Sequence, residues 1–368
     1  MDLELSDDQF DLRDNIRSVL EGACQPALVR SIYDGGGSAD ALWTQMVELY
    51  WPALGVAEDA GGLGLGFVEL GLLAEELGRV AAPGPLLAVV SQFIPVLTEA
   101  GAEDELAAAA AGESVGALAL AENGRWDLDA VDATATEANG GWRVSGTKAA
   151  VLAGAHADRF AVVARTDSGI GAWLVDAANS AVTITDVIDP GLGLADVAFE
   201  DAPATLLLAP GPATTEALTR VIEQATVAMA LHTVGACRRI FEVTLEYAKV
   251  REQYDKVIGS FQALKHRFAD MFLAVERANA VGYYAALAIA EDDEARAEAV
   301  NVAKAAAGDC QKLVAEDGLQ LHGGIGFTWE NDLHFLLKRA KAGEVLCGGR
   351  THHRAQLAGR LGLLGASA

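Results

Sequence analysis

Cysteine, proline and basic charge are all in short supply in this chain, and each shortage excludes something. Its four cysteines, Cys24, Cys237, Cys310 and Cys347, are widely scattered. No CxxC or Cys/His spacing marks a metal site, so free thiols and no metal are expected. Only nine prolines interrupt a chain that is 51% hydrophobic and rich in alanine, which suits a mostly helical protein. Lys and Arg number 27 against 52 Asp and Glu, a formal net charge of −25. A surface field of that sign repels nucleic acid and anionic membranes. No uninterrupted apolar run reaches the ~18–20 residues that span a bilayer. The opening MDLELSDDQFDL is acidic and lacks the basic and apolar regions of a signal peptide. The expectation is a soluble, cytoplasmic protein with neither a nucleic-acid nor a membrane partner.

A chain of 368 residues can bury a large core and is expected to form two or three domains. Ser6 to Gln9 reads as a capping box, followed by a helical stripe of Phe10, Ile16, Val19 and Leu20. Helical periodicity recurs over 42–49, 68–79, 86–99 and 103–111, so residues 1–112 read as a helical domain. Gly61 to Gly66 is glycine-rich, but no strand precedes it and no acid follows about twenty positions on, so it reads as a turn. Residues 113–210 change texture, with short apolar or alternating runs and an Asn139-Gly140 hairpin signal. That is an antiparallel β domain of roughly six to eight strands. Residues 211–368 return to long Ala-rich helical segments, which suit a buried four-helix core.

One stretch carries chemistry. Tyr247 to Asp270 reads as a helix end, a short crossing and a new helix, with Arg251, Gln253, Tyr254, Ser260 and Gln262 between the apolar faces. A guanidinium with nearby amides and a ring suits a phosphate-bearing aromatic ligand, because arginine binds phosphate oxygens bidentately. The same residues also suit an ordinary polar corner between helices.

The pattern Arg251-x-Gln253-Tyr254, then Ile258-Gly259-x-Phe261-Gln262, then Lys265-His266 and Ala269-Asp270-Met271, resembles the signature of the acyl-CoA dehydrogenase family of FAD flavoproteins. Gln320 to Glu330, QLHGGIGFTWE, resembles that family's QxxGGxGF segment, and Ala57 to Gly66 also agrees. The resemblance covers essentially the whole chain. It implies a helical domain, an antiparallel β domain and a C-terminal four-helix bundle, with FAD at a subunit interface. Arg251 would grip the pyrophosphate, with Gln253, Tyr254, Phe261 and Gln262 lining the same end. Gln320, Gly323 and Gly324 would bring backbone amides to the phosphates. His322 reads as a turn or helix-start residue rather than a catalyst.

The family's other half is absent. Where members carry T-E-x-x-x-G-S-D, this chain has Ala121-Glu122-Asn123-Gly124-Arg125-Trp126, and where they carry K-x-W-I-T it has Lys148-Ala149-Ala150-Val151-Leu152. Abstraction of an α-proton from a thioester needs a carboxylate near the flavin. The family's (Y)EGT segment is replaced by Leu346-Cys347-Gly348-Gly349-Arg350, with Glu344 one turn upstream. Members that keep the base on the helix before the signature corner would place it at or beside Ala225. The nearest acid there is Glu223, ~200° away around a helix. Cys347 is a nucleophile or simply packed. His352 and His353 touch phosphate or form an exposed pair. His232 is a core histidine or lies at an interface.

Such a chain resembles the non-catalytic subunit of actinobacterial heteromeric acyl-CoA dehydrogenases acting on bulky thioesters such as steroid side chains. That implies an α2β2 assembly in which a catalytic acyl-CoA dehydrogenase subunit supplies the base and the acyl-CoA site. An electron-transfer flavoprotein would take the electrons. Two alternatives stay open: a self-sufficient homo-oligomer using Glu223 or Glu344 as base, and a non-enzymatic scaffold that has lost flavin.

Overall fold

The computed structural model describes residues 4–138 and 140–363. Among the described residues seven α-helices come first: α1 Asp7–Ala23, α2 Pro26–Tyr33, α3 Asp40–Glu48, α4 Phe67–Arg79, α5 Leu86–Ala88, α6 Ile94–Ala100 and α7 Glu103–Ala110. The capping box holds: Ser6 Oγ accepts from the Gln9 N–H at 3.2 Å, and the Gln9 side chain accepts from the Ser6 N–H at 3.0 Å. Helix α4 is buried on all sides from Leu70 to Arg79, so its charged residues lie inside. Each has partners. Arg17 binds Glu76 with both arms at 2.6 and 3.0 Å, and Arg79 bridges Glu21 and Glu242. Glu75 accepts from Arg238, Asn279 and the Tyr283 hydroxyl. Charge this deep is tolerated only when it is paired and hydrogen-bonded. Helix α4 also meets α8 (Pro212–Val250) backbone to backbone. A Cβ on Gly78 would stand 1.9 Å from the His232 carbonyl oxygen, and one on Gly235 1.9 Å from that of Glu75.

Seven strands follow the first helices: β1 Gly116–Ala119, β2 Thr134–Ala138, β3 Gly141–Val151, β4 Arg159–Thr166, β5 Gly169–Asp176, β6 Ala181–Ile184 and β7 Ala195–Leu208. Their order is β1-β4-β2-β3-β7-β5, with β6 on β7, and β5 also pairs with β4, so the sheet closes on itself. Pairing is antiparallel except where β4 meets β1 and β2, which are parallel contacts the strand texture alone does not reveal. The β2–β3 hairpin forms, with Ala138 opposite Gly141. Asn139 of the expected turn lies outside the described residues. The apolar run of β4 has a structural cause, because both its faces are buried. Phe160 and Val162 join Val144, Trp173 and Phe199 on one side. Ala161 and Val163 pack with Phe93, Val96 and Leu106 of the helices on the other.

The C-terminal part is helical: α8, then α9 Gln262–Ala290, α10 Arg296–His322, α11 Leu333–Val345 and α12 Arg350–Arg360. Ile240, Met271, Val314 and Ala340, one each from α8 to α11, meet in one apolar cluster, which is the expected four-helix core. The chain divides into two compact units. One holds Met1–Gly37, Phe67–Ala82 and Thr226–Ala368, and the other holds Ser38–Gly66 and Pro83–Ala225. All four cysteines are buried and none is in a disulfide. Among the described residues no helix is long and apolar enough to cross a membrane.

Candidate functional site: an exposed nucleotide corner

At the end of α8 the chain does not simply cross to α9. It forms a small ladder of β8 Glu252–Gln253 and β9 Lys256–Val257. Tyr254 and Asp255 make its turn with φ of 55° and 59°. Two successive left-handed residues mark a type I′ turn, usually built from Asn and Gly. The Ile258 N–H closes the base of the hairpin on the Arg251 carbonyl at 2.7 Å. Buried Ile258 anchors the 3₁₀ turn Ile258–Ser260 that leads into α9. Phe261 meets the Tyr254 ring edge-on at 6.2 Å, and Lys256 Nζ sits 4.5 Å over the Phe261 ring. Arg251, Gln253, Tyr254 and Gln262 therefore stand exposed on one small fold. No other described residue pairs with the Arg251 guanidinium.

The glycine segment adjoins it. Helix α10 ends at His322, and Gly323 leaves it with φ 62°, which glycine adopts freely. A Cβ on Gly323 or Gly324 would meet nothing within 4 Å, so their backbones are open to approach, and Gln320 is exposed beside them. Tyr247, four residues before Arg251, stacks on His322 with ring centroids 4.6 Å apart. The two motif segments are thus brought together by a direct contact. His322 stands where α10 gives way to the 3₁₀ turn Gly323–Phe327; it is buried there, and burial keeps its imidazole below the usual pKa. The Gly323 N–H itself closes helix α10 on the Leu319 and Gln320 carbonyls, so what the glycines offer is close approach. A solvated cation, an uncovered glycine turn and exposed side-chain amides beside an aromatic pair fit a diphosphate carrying a flat heterocycle.

The turn at 346–349 is of the opposite kind. Cys347 takes φ 58° and turns its thiol inward, where burial pushes the pKa up to about 11. A nucleophile needs the thiolate, so this thiol is inert. Lys304, fully buried, donates from Nζ to the carbonyls of Gly343 and Glu344 at 2.8 and 2.9 Å. Those carbonyls belong to the last turn of α11, where no intrahelical donor remains. Burial draws Lys304 down to about 8. His353 holds the Cys347 carbonyl from Nε2 at 2.8 Å and contacts Asn301 Oδ1 from Nδ1 at 2.9 Å. It is buried, which corrects the expectation of an exposed histidine pair. Glu344 accepts from Lys341 at 2.8 Å and from the Arg350 N–H at 3.4 Å, so it caps α12. Burial would raise its pKa, but Lys341 and that N–H hold it low.

In the β domain the two altered segments lie side by side, with the Ala149 N–H on the Ala121 carbonyl at 2.8 Å. Glu122 takes Lys148 Nζ at 2.5 Å and the N–H groups of Asp132 and Ala133 at 2.7 and 3.1 Å. Burial opposes its charge, yet these donors hold it below the usual carboxylate range. Neither Ala121, Ala150 nor Leu152 offers a hydroxyl or an indole there. Glu223 is buried on α8. His232 is a core histidine: Nδ1 donates to the Ala74 carbonyl at 3.1 Å and Nε2 faces Arg339 at 3.4 Å. Burial and Arg339 push its pKa down to about 3.

Two family models match, the acyl-CoA dehydrogenase N-terminal domain over residues 6–109 and the C-terminal domain over 215–362. The chain is 32% identical over 332 residues to acyl-CoA dehydrogenase IpdE2 of Mycobacterium tuberculosis, covering 89% of each. The chain belongs to the acyl-CoA dehydrogenase family. Among solved structures, a chain of the ChsE4–ChsE5 complex from M. tuberculosis superposes with a TM-score of 0.89 at 26% identity, covering 100% of both chains. A variant of the Tcur3481–Tcur3483 steroid ACAD gives 0.86 at 28%, covering 97% of this chain and 98% of that one. The domain order read from the sequence as helical, β and helical is the fold of this acyl-CoA dehydrogenase family.

Proposed function

We propose that this chain is the non-catalytic, β-type subunit of a cytoplasmic, heteromeric FAD-dependent acyl-CoA dehydrogenase, an α2β2 assembly with a catalytic partner. FAD supplies the hydride acceptor for α,β-dehydrogenation of a CoA thioester. This chain binds its adenylate and pyrophosphate end through Arg251, Gln253, Tyr254, Phe261, Gln262, Gln320, Gly323 and Gly324. Arg251 would neutralise the diphosphate, and the uncovered backbone at Gly323 and Gly324 would let it lie close to the chain. The observation that carries the reading is the 346–349 turn: its thiol is buried, and the carboxylate of Glu344 beside it is spent on Lys341 and a helix end. The base therefore comes from the partner, which also holds the acyl-CoA. A two-chain complex and a steroid enzyme among the similar structures support a bulky substrate such as a steroid side-chain thioester. An electron-transfer flavoprotein is the expected acceptor.

The test is a visible spectrum and FAD count on the chain alone and on the chain co-expressed with a catalytic acyl-CoA dehydrogenase subunit. Little flavin alone and about one FAD per pair of chains together is the expected result. Full flavin and thioester oxidation by the lone chain would favour a self-sufficient enzyme with Glu223 or Glu344 as base. A colourless protein with every partner would make it a scaffold.

A further inference from the structure

The two halves of the half-site come from segments far apart in the chain, and their spacing is set where α8 and α10 touch. Gly318 faces α8: a Cβ there would stand 2.6 Å from Ile240 Cγ2 and 3.4 Å from Thr244 Oγ1. Glycine is what lets the helices approach this closely. One turn further along both helices, the rings of Tyr247 and His322 lie flat on each other, 14° from parallel. The Gly318 carbonyl lies 2.9 Å from His322 Nδ1 and accepts its proton, which fixes the tautomer and the rotation of the ring. Opposite, a Cβ on Gly326 would strike His322 Cβ at 2.9 Å, so the residue is boxed on both sides. Each end of the stack is tied to one half of the site. The Tyr247 carbonyl accepts the Arg251 N–H at 2.9 Å, and His322 is bonded directly to Gly323.

We propose that the Tyr247–His322 stack is a strut that fixes the distance between the Arg251 guanidinium and the Gly323–Gly324 turn, and so sets how tightly a diphosphate is held. Both are positioning residues, and the inference rests on the half-site reading above. A grip shared between two segments works only when they keep a fixed spacing. Removing one ring leaves each half intact but lets the spacing drift.

FAD affinity, read from quenching of flavin fluorescence in the chain assembled with its catalytic subunit, tests this. Tyr247→Leu is expected to weaken binding about tenfold, the scale of an aromatic pair, with the melting temperature little changed. The exchange variant Tyr247→His with His322→Tyr restores two rings and recovers most of the loss. His322→Phe keeps the stack without the Nδ1 bond and falls between. Wild-type affinity in Tyr247→Leu, or no recovery in the exchange variant, overturns the strut. Arg251→Ala separates the two ideas. If it abolishes binding while Tyr247→Leu keeps the wild-type affinity, the half-site stands and the strut falls. If Arg251→Ala binds FAD normally, the half-site reading falls and takes the strut with it. Should Tyr247→Leu fail to fold, His322→Phe and the exchange variant decide.

Discussion

The corner after α8 and the turn after α11 belong to the same compact unit, yet they treat polar groups in opposite ways. At the corner, Arg251, Gln320 and Tyr254 face outward, and the structure asks nothing of the guanidinium. At the turn, Lys304, Glu344 and His353 face inward, and each is committed to holding backbone in place. Polar groups that build a fold are buried and satisfied, whereas groups kept for a ligand are left solvated. The turn holds polar residues like those of an active site, but it uses them as carpentry.

That contrast can be broken by substitution. Arg251→Ala is expected to lower FAD affinity of the assembled protein by roughly 30-fold or more, with an unchanged melting temperature. If it melts early, the corner is structural after all. Lys304→Met does the reverse: it strands two buried carbonyls and costs about 2–4 kcal/mol of stability, read by denaturant titration, while the flavin Kd of the surviving fold is unchanged. The acid limb sharpens the inside of the comparison. His232 has a folded pKa near 3, below the unfolded value near 6.5, so the unfolded chain binds the extra proton between them. Its contribution is complete above pH 6.5 and is lost as pH falls toward 3, at up to ~1.4 kcal/mol per pH unit. NMR should find the neutral Nδ1–H ring still present at pH 5. The smallest effect is Glu344→Gln, a weakened cap costing about 1 kcal/mol or less, with turnover of the heteromer nearly unchanged. A hundredfold loss of turnover would make Glu344 a base.

The sequence made the long helices and the corner legible because apolar spacing, the Ser6 cap and two ordered motifs all reflect local chemistry. It hid the β8–β9 hairpin because Tyr254-Asp255 is not a recognisable type I′ pair, although the backbone is forced into that turn. It hid α12 because Arg350 to Arg360 has no apolar stripe, only His353 being buried. Lys304, Glu75 and Arg79 look like surface charges in one dimension. Their burial is fixed by which helix passes over them, and no window of sequence contains that. The absence of a carboxylate at Cys347 was readable from the sequence, but not that the thiol points into the core.

The crossing of Gly78 and Gly235 has a consequence for how this protein can diverge. Where two main chains touch, no other residue type fits at either position, and compensating changes nearby cannot make room without parting the helices. The surrounding Glu75 and Glu76 pairs would be pulled open by the same shift. Descendants of this chain are free to vary the rim of the corner or the caps of the turn. At that one point of closest approach they have a single letter to choose from.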